Sequence, residues 1–199
     1  MIAPSRQRLQ VDERRTQLLD LAIQLFGGRS YEDISIDEFA KKGGISKGLL
    51  YHYFPSKRAL YVAAVGRAAE QLLEKTHVDG GGASASSLET VRRGLDAYLA
   101  YVEEHAAAYA FLLRSGIGSD AEVAGLVEAT RDAFAKRIGA GLGLTEHDAE
   151  GRILVRGWVG FVEATSLAWA ESPSGITRER LAELILGAFA AGVQLVKHK

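Results

Sequence analysis

The chain has 199 residues, 47% of them apolar, with a formal net charge of −1 and a pI near 6.5. That length suits one large domain or two small ones, each with enough apolar residues for a core. The absence of cysteine excludes a disulfide framework and a thiolate metal site.

Almost every segment has helical period and none has convincing strand alternation. The first residues, Met1-Ile-Ala-Pro-Ser-Arg-Gln-Arg8, lack the apolar core of a signal peptide. Together with the lack of a membrane-spanning stretch, this leads us to expect a cytoplasmic protein. Helix 1 is expected from about Asp12 to Phe26, with Leu18, Ala22, Leu25 and Phe26 on one face and Gly27-Gly28 as its stop. Helix 2 begins at Ser35, where Ser35 and Glu38 fit a capping box, and Gly43-Gly44 end it. Ser46 is placed to cap helix 3, which carries Leu50, Tyr53 and Phe54. Pro55-Ser56 breaks the chain and caps helix 4, whose Leu60, Ala64, Ala68 and Leu72 recur every fourth residue. Asp79 to Ser87 has the composition of a flexible linker.

Ser86 and Glu89 form a second capping box opening helix 5, with Leu88, Val91, Leu95, Tyr98, Leu99 and Val102 inward. Further helices are expected over about Ala106–Arg114 and Asp120–Gly139. A long helix follows a Thr145/Asp148 cap and reaches Ala170, and a last one runs from Thr177 to about Val196. The expectation is an all-α chain of about nine helices. Residues 1–57 form a three-helix head, and residues 58–199 form a helical body entered through helix 4. The most apolar late segment, Val155 to Ala170, is interrupted by Arg156 and Glu163 and is too short to span a bilayer.

The segment Ser35 to Lys57 carries the clearest chemistry. Two short helices joined by a glycine turn form a helix-turn-helix, with small Ala40 where the helices cross and Gly44 where the turn needs positive φ. Ile45 and Leu50 plug the underside of helix 3, leaving Lys47, Gly48, Leu49, Tyr51 and His52 outward. These suit a helix in the DNA major groove. Lys47 reaches a guanine edge or a phosphate, Gly48 removes bulk, and Leu49 offers apolar contact to a thymine methyl. Tyr51, His52 and Lys57 are placed to grip phosphates, as are Ser35 and Ser46 at helix N-termini. Charge follows the same division. Through Arg58, bases outnumber acids by about three, and the remainder is acidic by about four. Arg6, Arg8, Arg14 and Arg15 fit a minor-groove arm and a solvated tail equally well.

Residues from about Arg14 to Val65 resemble the DNA-binding head of the TetR (tetracycline-repressor-like) family. The likeness runs through Leu21-Ala-Ile-Gln-Leu-Phe26, Tyr31, Ser35 to Ala40, Gly44-Ile-Ser-Lys-Gly48 and Leu50-Tyr-His-Tyr-Phe-Pro-Ser-Lys57. Three positions depart from the usual pattern. Ile34 and Leu49 stand where threonine is frequent, and Gly43 stands where alanine is common. The resemblance implies a homodimeric regulator, most often a repressor, that binds a palindromic double-stranded DNA operator and is released by a small-molecule effector. An activator, or a regulator that answers a protein partner, is the alternative.

In the body, Tyr98, Tyr101, Tyr109, Arg114, Phe134, Trp158 and Phe161 are candidates for an effector pocket, with core packing as the competing reading of each aromatic. Arg156 and Glu163, on one face of the eighth helix, suit an effector contact, an internal salt bridge or an interface pair equally. Two helices carry more apolar surface than one face needs. On the eighth, Ile153, Gly157, Gly160 and Ala164 form one stripe; on the ninth, Leu184, Ala188, Gly192 and Leu195 form another. The resemblance implies that these stripes pair with their symmetry mates in a four-helix bundle. The five histidines show no ligand spacing. A nucleophile elbow, a phosphate-binding glycine loop and a convincing carboxylate pair are also missing. We therefore expect no metal, no cofactor, no membrane partner and no enzymatic activity.

Overall fold

A computed structural model describes residues 6–78, 87–115, 120–144, 148–171 and 175–197. Within these residues the chain is helical: α1 (Arg6–Gly28), α2 (Ile36–Lys42), α3 (Lys47–Tyr53), α4 (Lys57–Lys75), α5 (Ser87–Glu104), α6 (Ala106–Ser115), α7 (Ala121–Leu142), α8 (Ala149–Glu171) and α9 (Arg178–Lys197). The linker expected at 79–87 lies almost wholly outside them, as do Ser86 and Thr145.

The head is built on α1, whose Leu18, Ala22 and Phe26 meet Phe39 and Ala40 of α2, Leu50 of α3 and Leu60 of α4 in a closed apolar cluster. The same buried cluster continues into the body, because α1 packs on α6 as well as α4, and α4 packs on α6 and α7. In the body, α7 packs on α8, α8 on α9, and α5 on both α7 and α9.

Helix α1 is longer than the sequence pattern suggests, and Gly27-Gly28 lie within it rather than past it. The reason is tertiary. A Cβ on Gly27 would sit 2.7 Å from the Ala107 carbonyl oxygen, so this glycine lets α1 cross close against α6. Arg14 and Arg15 are therefore helical residues, and the Arg15 guanidinium lies 5.3 Å from the Phe54 ring centroid. The capping box of α2 is half made. Ser35 Oγ accepts from the Glu38 amide at 3.1 Å, but the Glu38 carboxylate turns to Arg29 at 2.6 Å and Lys42 at 3.4 Å. Asp148 is the cap of α8, accepting from the Gly151 amide at 2.7 Å. Asp120 caps α7 through the Glu122 and Val123 amides, and Gly143 closes that helix at φ 72°.

Candidate nucleic-acid interface and body cavity

The turn between α2 and α3 is made by backbone. The Gly43, Gly44 and Ile45 amides donate to the Phe39, Lys41 and Ala40 carbonyls at 2.8, 3.2 and 3.1 Å, and Gly44 takes φ 63°. A side chain at Gly44 would be strained in that region. Ser46 Oγ then accepts from the Leu49 amide at 3.1 Å and starts α3. Leu50, 1% exposed, is the bolt of this helix and sets its rotation. Lys47, Gly48, Leu49, Tyr51 and His52 are consequently all exposed on one side.

Two of these exposures are informative. Leu49 and Tyr51 leave 41% and 45% of their surfaces in water, on a helix of only seven residues. Among the described residues nothing requires a glycine at 48 either, since a Cβ there would find only Ser46 Oγ, 4.0 Å away. The cations around them are held in place. Lys47 Nζ lies 2.7 Å from Asp37 Oδ1, and that carboxylate raises the lysine's pKa. Lys57 Nζ sits 4.2 Å above the Tyr31 ring centroid. Ser35 and Ser46 spend an oxygen lone pair on their caps and keep the O–H for another acceptor. This patch combines cations, hydroxyl donors and an apolar tip around a short protruding helix, which is the chemistry of a groove reader.

A cavity of about 450 Å³ opens in the body, walled by the end of α4 and by α5, α7 and α8. Of the residues expected in a pocket, Tyr98, Phe134 and Trp158 line it. The others lie elsewhere. Tyr101 and Tyr109 are buried in the core away from the wall. Arg114 reaches the surface to pair with Glu171, and Phe161 is 43% exposed on the outer side of α8. Sequence reasoning missed Thr76, Thr90, Arg137, Ile138 and Val159, which the fold brings to the wall from four separate stretches.

Of the polar atoms of the wall, Trp158 Nε1 is buried without a hydrogen-bond partner among the described residues, while others are engaged within the protein. Thr76 Oγ1 donates to the Leu72 carbonyl at 2.6 Å, the Tyr98 and Tyr109 hydroxyls meet at 2.7 Å, and Arg137 Nη1 donates to the Leu73 carbonyl at 2.9 Å. Burial holds the Tyr98 and Tyr109 phenols well above the usual tyrosine range. The remainder of the wall is largely apolar.

Arg156 and Glu163 belong to an internal ion network. Glu163 pairs with Arg131 at 2.9 Å, Arg131 with Glu128 at 2.5 Å, and Glu128 with Arg156 at 2.6 Å. Burial pushes the Glu163 carboxyl up while the Arg131 guanidinium opposes it. Outside this network, α8 and α9 present Ile153 (74% exposed), Gly157, Ala164, Leu184 (48%) and Ala188 to solvent, with Phe161 among them. Gly160, half-buried, has open space where its Cβ would be. Gly192, half-buried, has the terminal methyl of the flexible Leu154 side chain 2.8 Å from where its Cβ would be. The Leu195 side chain lies outside the described residues. Among the described residues no helix is long and apolar enough to cross a membrane, and no cluster of side chains could hold a metal ion.

A family model described as "Tetracyclin repressor-like, C-terminal domain" matches residues 88–192, and one described as "Bacterial regulatory proteins, tetR family" matches residues 18–64. The transcriptional activator FasR of Mycolicibacterium smegmatis is 28% identical over 180 residues, covering 88% of this chain and 81% of that one. The transcriptional repressor KstR of the same organism is 38% identical over 64 residues, 32% of this chain and 31% of its own. Among solved structures, a tetR-family transcriptional regulator from Streptomyces coelicolor superposes with a TM-score of 0.80 at 34% identity, covering 93% of this chain and 82% of that one. FadR from Bacillus subtilis in complex with stearoyl-CoA shares the fold, with a TM-score of 0.70 at 16% identity over 89% of this chain and 98% of its own.

Proposed function

The chain belongs to the TetR family of DNA-binding transcriptional regulators, and on that premise we propose that it works as a homodimer, binds a palindromic operator in the cytoplasm, and is released by a small molecule held in the body cavity. Residues 1–57 act as the DNA-binding head and 58–199 as the effector and dimerisation body. The observation that carries the DNA reading is the protruding face of α3, where Leu49 and Tyr51 stay in water beside Lys47 and Gly48. Lys47, Gly48 and Leu49 read bases, while Ser35, Ser46, Tyr51, His52 and Lys57 hold phosphates. The dimer reading rests on the exposed apolar face of α8 and α9, because such a face is costly to leave in water. A two-fold dimer would present its α3 helices about 34 Å apart, one turn of DNA.

Release from an operator that overlaps a promoter makes the protein a repressor. One observation favours the activator reading: FasR, similar over most of both chains, is called an activator. The effector reading is supported by the apolar cavity and by the stearoyl-CoA held by FadR, which has the same fold. Selection of operator DNA from random sequence is the direct test and should return a two-fold symmetric site. A reporter driven by that site, with and without the regulator, then separates repression from activation. Sedimentation that finds only monomer at micromolar concentration would overturn the dimer.

A further inference from the structure

We propose that Arg137 recognises the anionic head of an amphipathic effector at the cavity wall, and that it signals by letting go of the last turn of α4. The proposal rests on the reading of the cavity as the effector site. Arg137 is the one permanently charged side chain among the residues described on that wall, and it is exposed. Deeper in, Tyr98 and Thr76 already have internal partners, and the Trp158 Nε1–H, buried without one, is a neutral donor, so a buried anion would find no counter-charge there. Apolar walls with a single cation at an exposed position fit a molecule with a greasy body and a terminal anion.

Arg137 also holds α4. The Thr76 amide donates to the Leu72 carbonyl at 3.1 Å and the His77 amide to the Glu74 carbonyl at 3.2 Å, which passes over the carbonyl of Leu73. Arg137 Nη1 reaches that carbonyl at 2.9 Å, a cation at a helix C-terminus. No carboxylate among the described residues pairs with this guanidinium, which has five N–H donors to offer. An anion on the cavity side draws the guanidinium toward itself and away from the neutral Leu73 carbonyl, since hydrogen bonds between ions are the stronger kind.

At its other end α4 is tied to the same helix. Arg58 Nε and Nη2 lie 2.7 and 2.9 Å from the Asp120 carboxylate, and Nη2 lies 2.9 Å from Glu122. The pairs 58–120 and 73–137 show that α4 and α7 run parallel, pinned at two points about 22 Å apart along the helix. Arg58 directly follows Lys57 of the DNA-contacting patch. Release at Leu73 with retention at Arg58 makes the latter a pivot, and the head lies beyond it. Arg58 and Asp120 are thus positioning residues for the response, and Arg137 a ligand-binding one.

The test uses the full chain, its selected operator, and three probes: dodecanoate, dodecyl phosphate and neutral dodecanol. Binding is read by calorimetry and release by fluorescence anisotropy of labelled operator. The wild type should bind an anionic probe at least about tenfold more tightly than dodecanol, the worth of a charge-assisted hydrogen bond. Arg137→Gln keeps a donor for Leu73 and should lose that preference while binding dodecanol unchanged, which also certifies its fold. Asp120→Asn keeps the cap of α7 and should bind the anionic probe as the wild type does, yet release operator only at several-fold higher probe concentration. An anion preference that survives in Arg137→Gln overturns the head-group assignment and leaves the cavity reading standing. Wild-type release by Asp120→Asn overturns the pivot. If no probe binds the wild type, the cavity reading itself fails.

Discussion

Two adjacent glycines at the end of α1 should respond to alanine with opposite signs. At Gly27 a Cβ would lie 2.7 Å from the Ala107 carbonyl oxygen, 3.2 Å from its carbon and 3.4 Å from its Cβ. The first two are backbone atoms of α6, which yield only if the helix moves. Forcing one carbon into a rigid contact of this kind costs ~1–3 kcal/mol. At Gly28 a Cβ meets nothing within 4 Å, and its φ is not in the left-handed region. Alanine there gains helix propensity, up to about 1 kcal/mol and less at a helix end. Urea denaturation of Gly27→Ala and Gly28→Ala beside the wild type measures both. At this chain length, a loss of about 2 kcal/mol corresponds to a fall of roughly 4–8 °C in Tm. A Gly27→Ala protein as stable as Gly28→Ala would refute the close crossing of α1 over α6 and, with it, the reason α1 runs through both glycines.

Replacing Tyr51 and Lys57 together by alanine should weaken binding to every DNA sequence alike and lower the salt slope by about 1, the share of the one cation removed, read by anisotropy at several salt concentrations. Leu49→Ala should instead cost ~1 kcal/mol at a single operator base pair, seen as relaxed discrimination there in a panel of operator variants. Alkaline pH should destabilise the body. Tyr98 and Tyr109 hold their protons in the folded state above pH 10, where the unfolded chain loses them, so stability is full below about pH 10 and falls as pH rises. The two together cost about 3 kcal/mol per pH unit in that range. Burial also pushes Tyr101 up to about 12 and adds to the trend. Urea midpoints between pH 9 and 11.5 measure the decline, which Tyr98→Phe with Tyr109→Phe should flatten.

The parts of this fold that could be read in the sequence are those decided locally. Ser35, Ser46 and Ser56 cap α2, α3 and α4 through amides three residues on, and Gly44 takes the positive φ of a turn closed by its neighbours. Such features need only a few consecutive residues. Gly27 misled for the opposite reason, since its smallness serves Ala107, far away in the chain. The partner of Glu163 was likewise hidden: Arg131 lies 32 residues earlier on another helix. The cavity was the least legible element. Tyr98, Phe134 and Trp158 stood out as aromatics, but Thr76, Arg137 and Ile138 become neighbours only when α4 and α7 pack side by side. Phe161 has the same chemical character as Trp158, three residues earlier, yet faces away from the cavity, because the cavity side of α8 is centred between Trp158, Val159 and Val162 and Phe161 falls beyond the Trp158 edge of that arc.

The ion pair of Lys47 with Asp37 bears on how quickly such a protein finds its site. While the carboxylate stands beside it, the lysine at the start of α3 adds no net charge to the DNA-facing surface. Counterion release, the source of sequence-indifferent affinity, is smaller by that one charge. A head with a lighter grip on arbitrary DNA dwells for less time at each wrong sequence. Only a base edge that offers Lys47 a better acceptor than Asp37 repays the exchange, and the pair turns a sticky charge into one that is spent selectively.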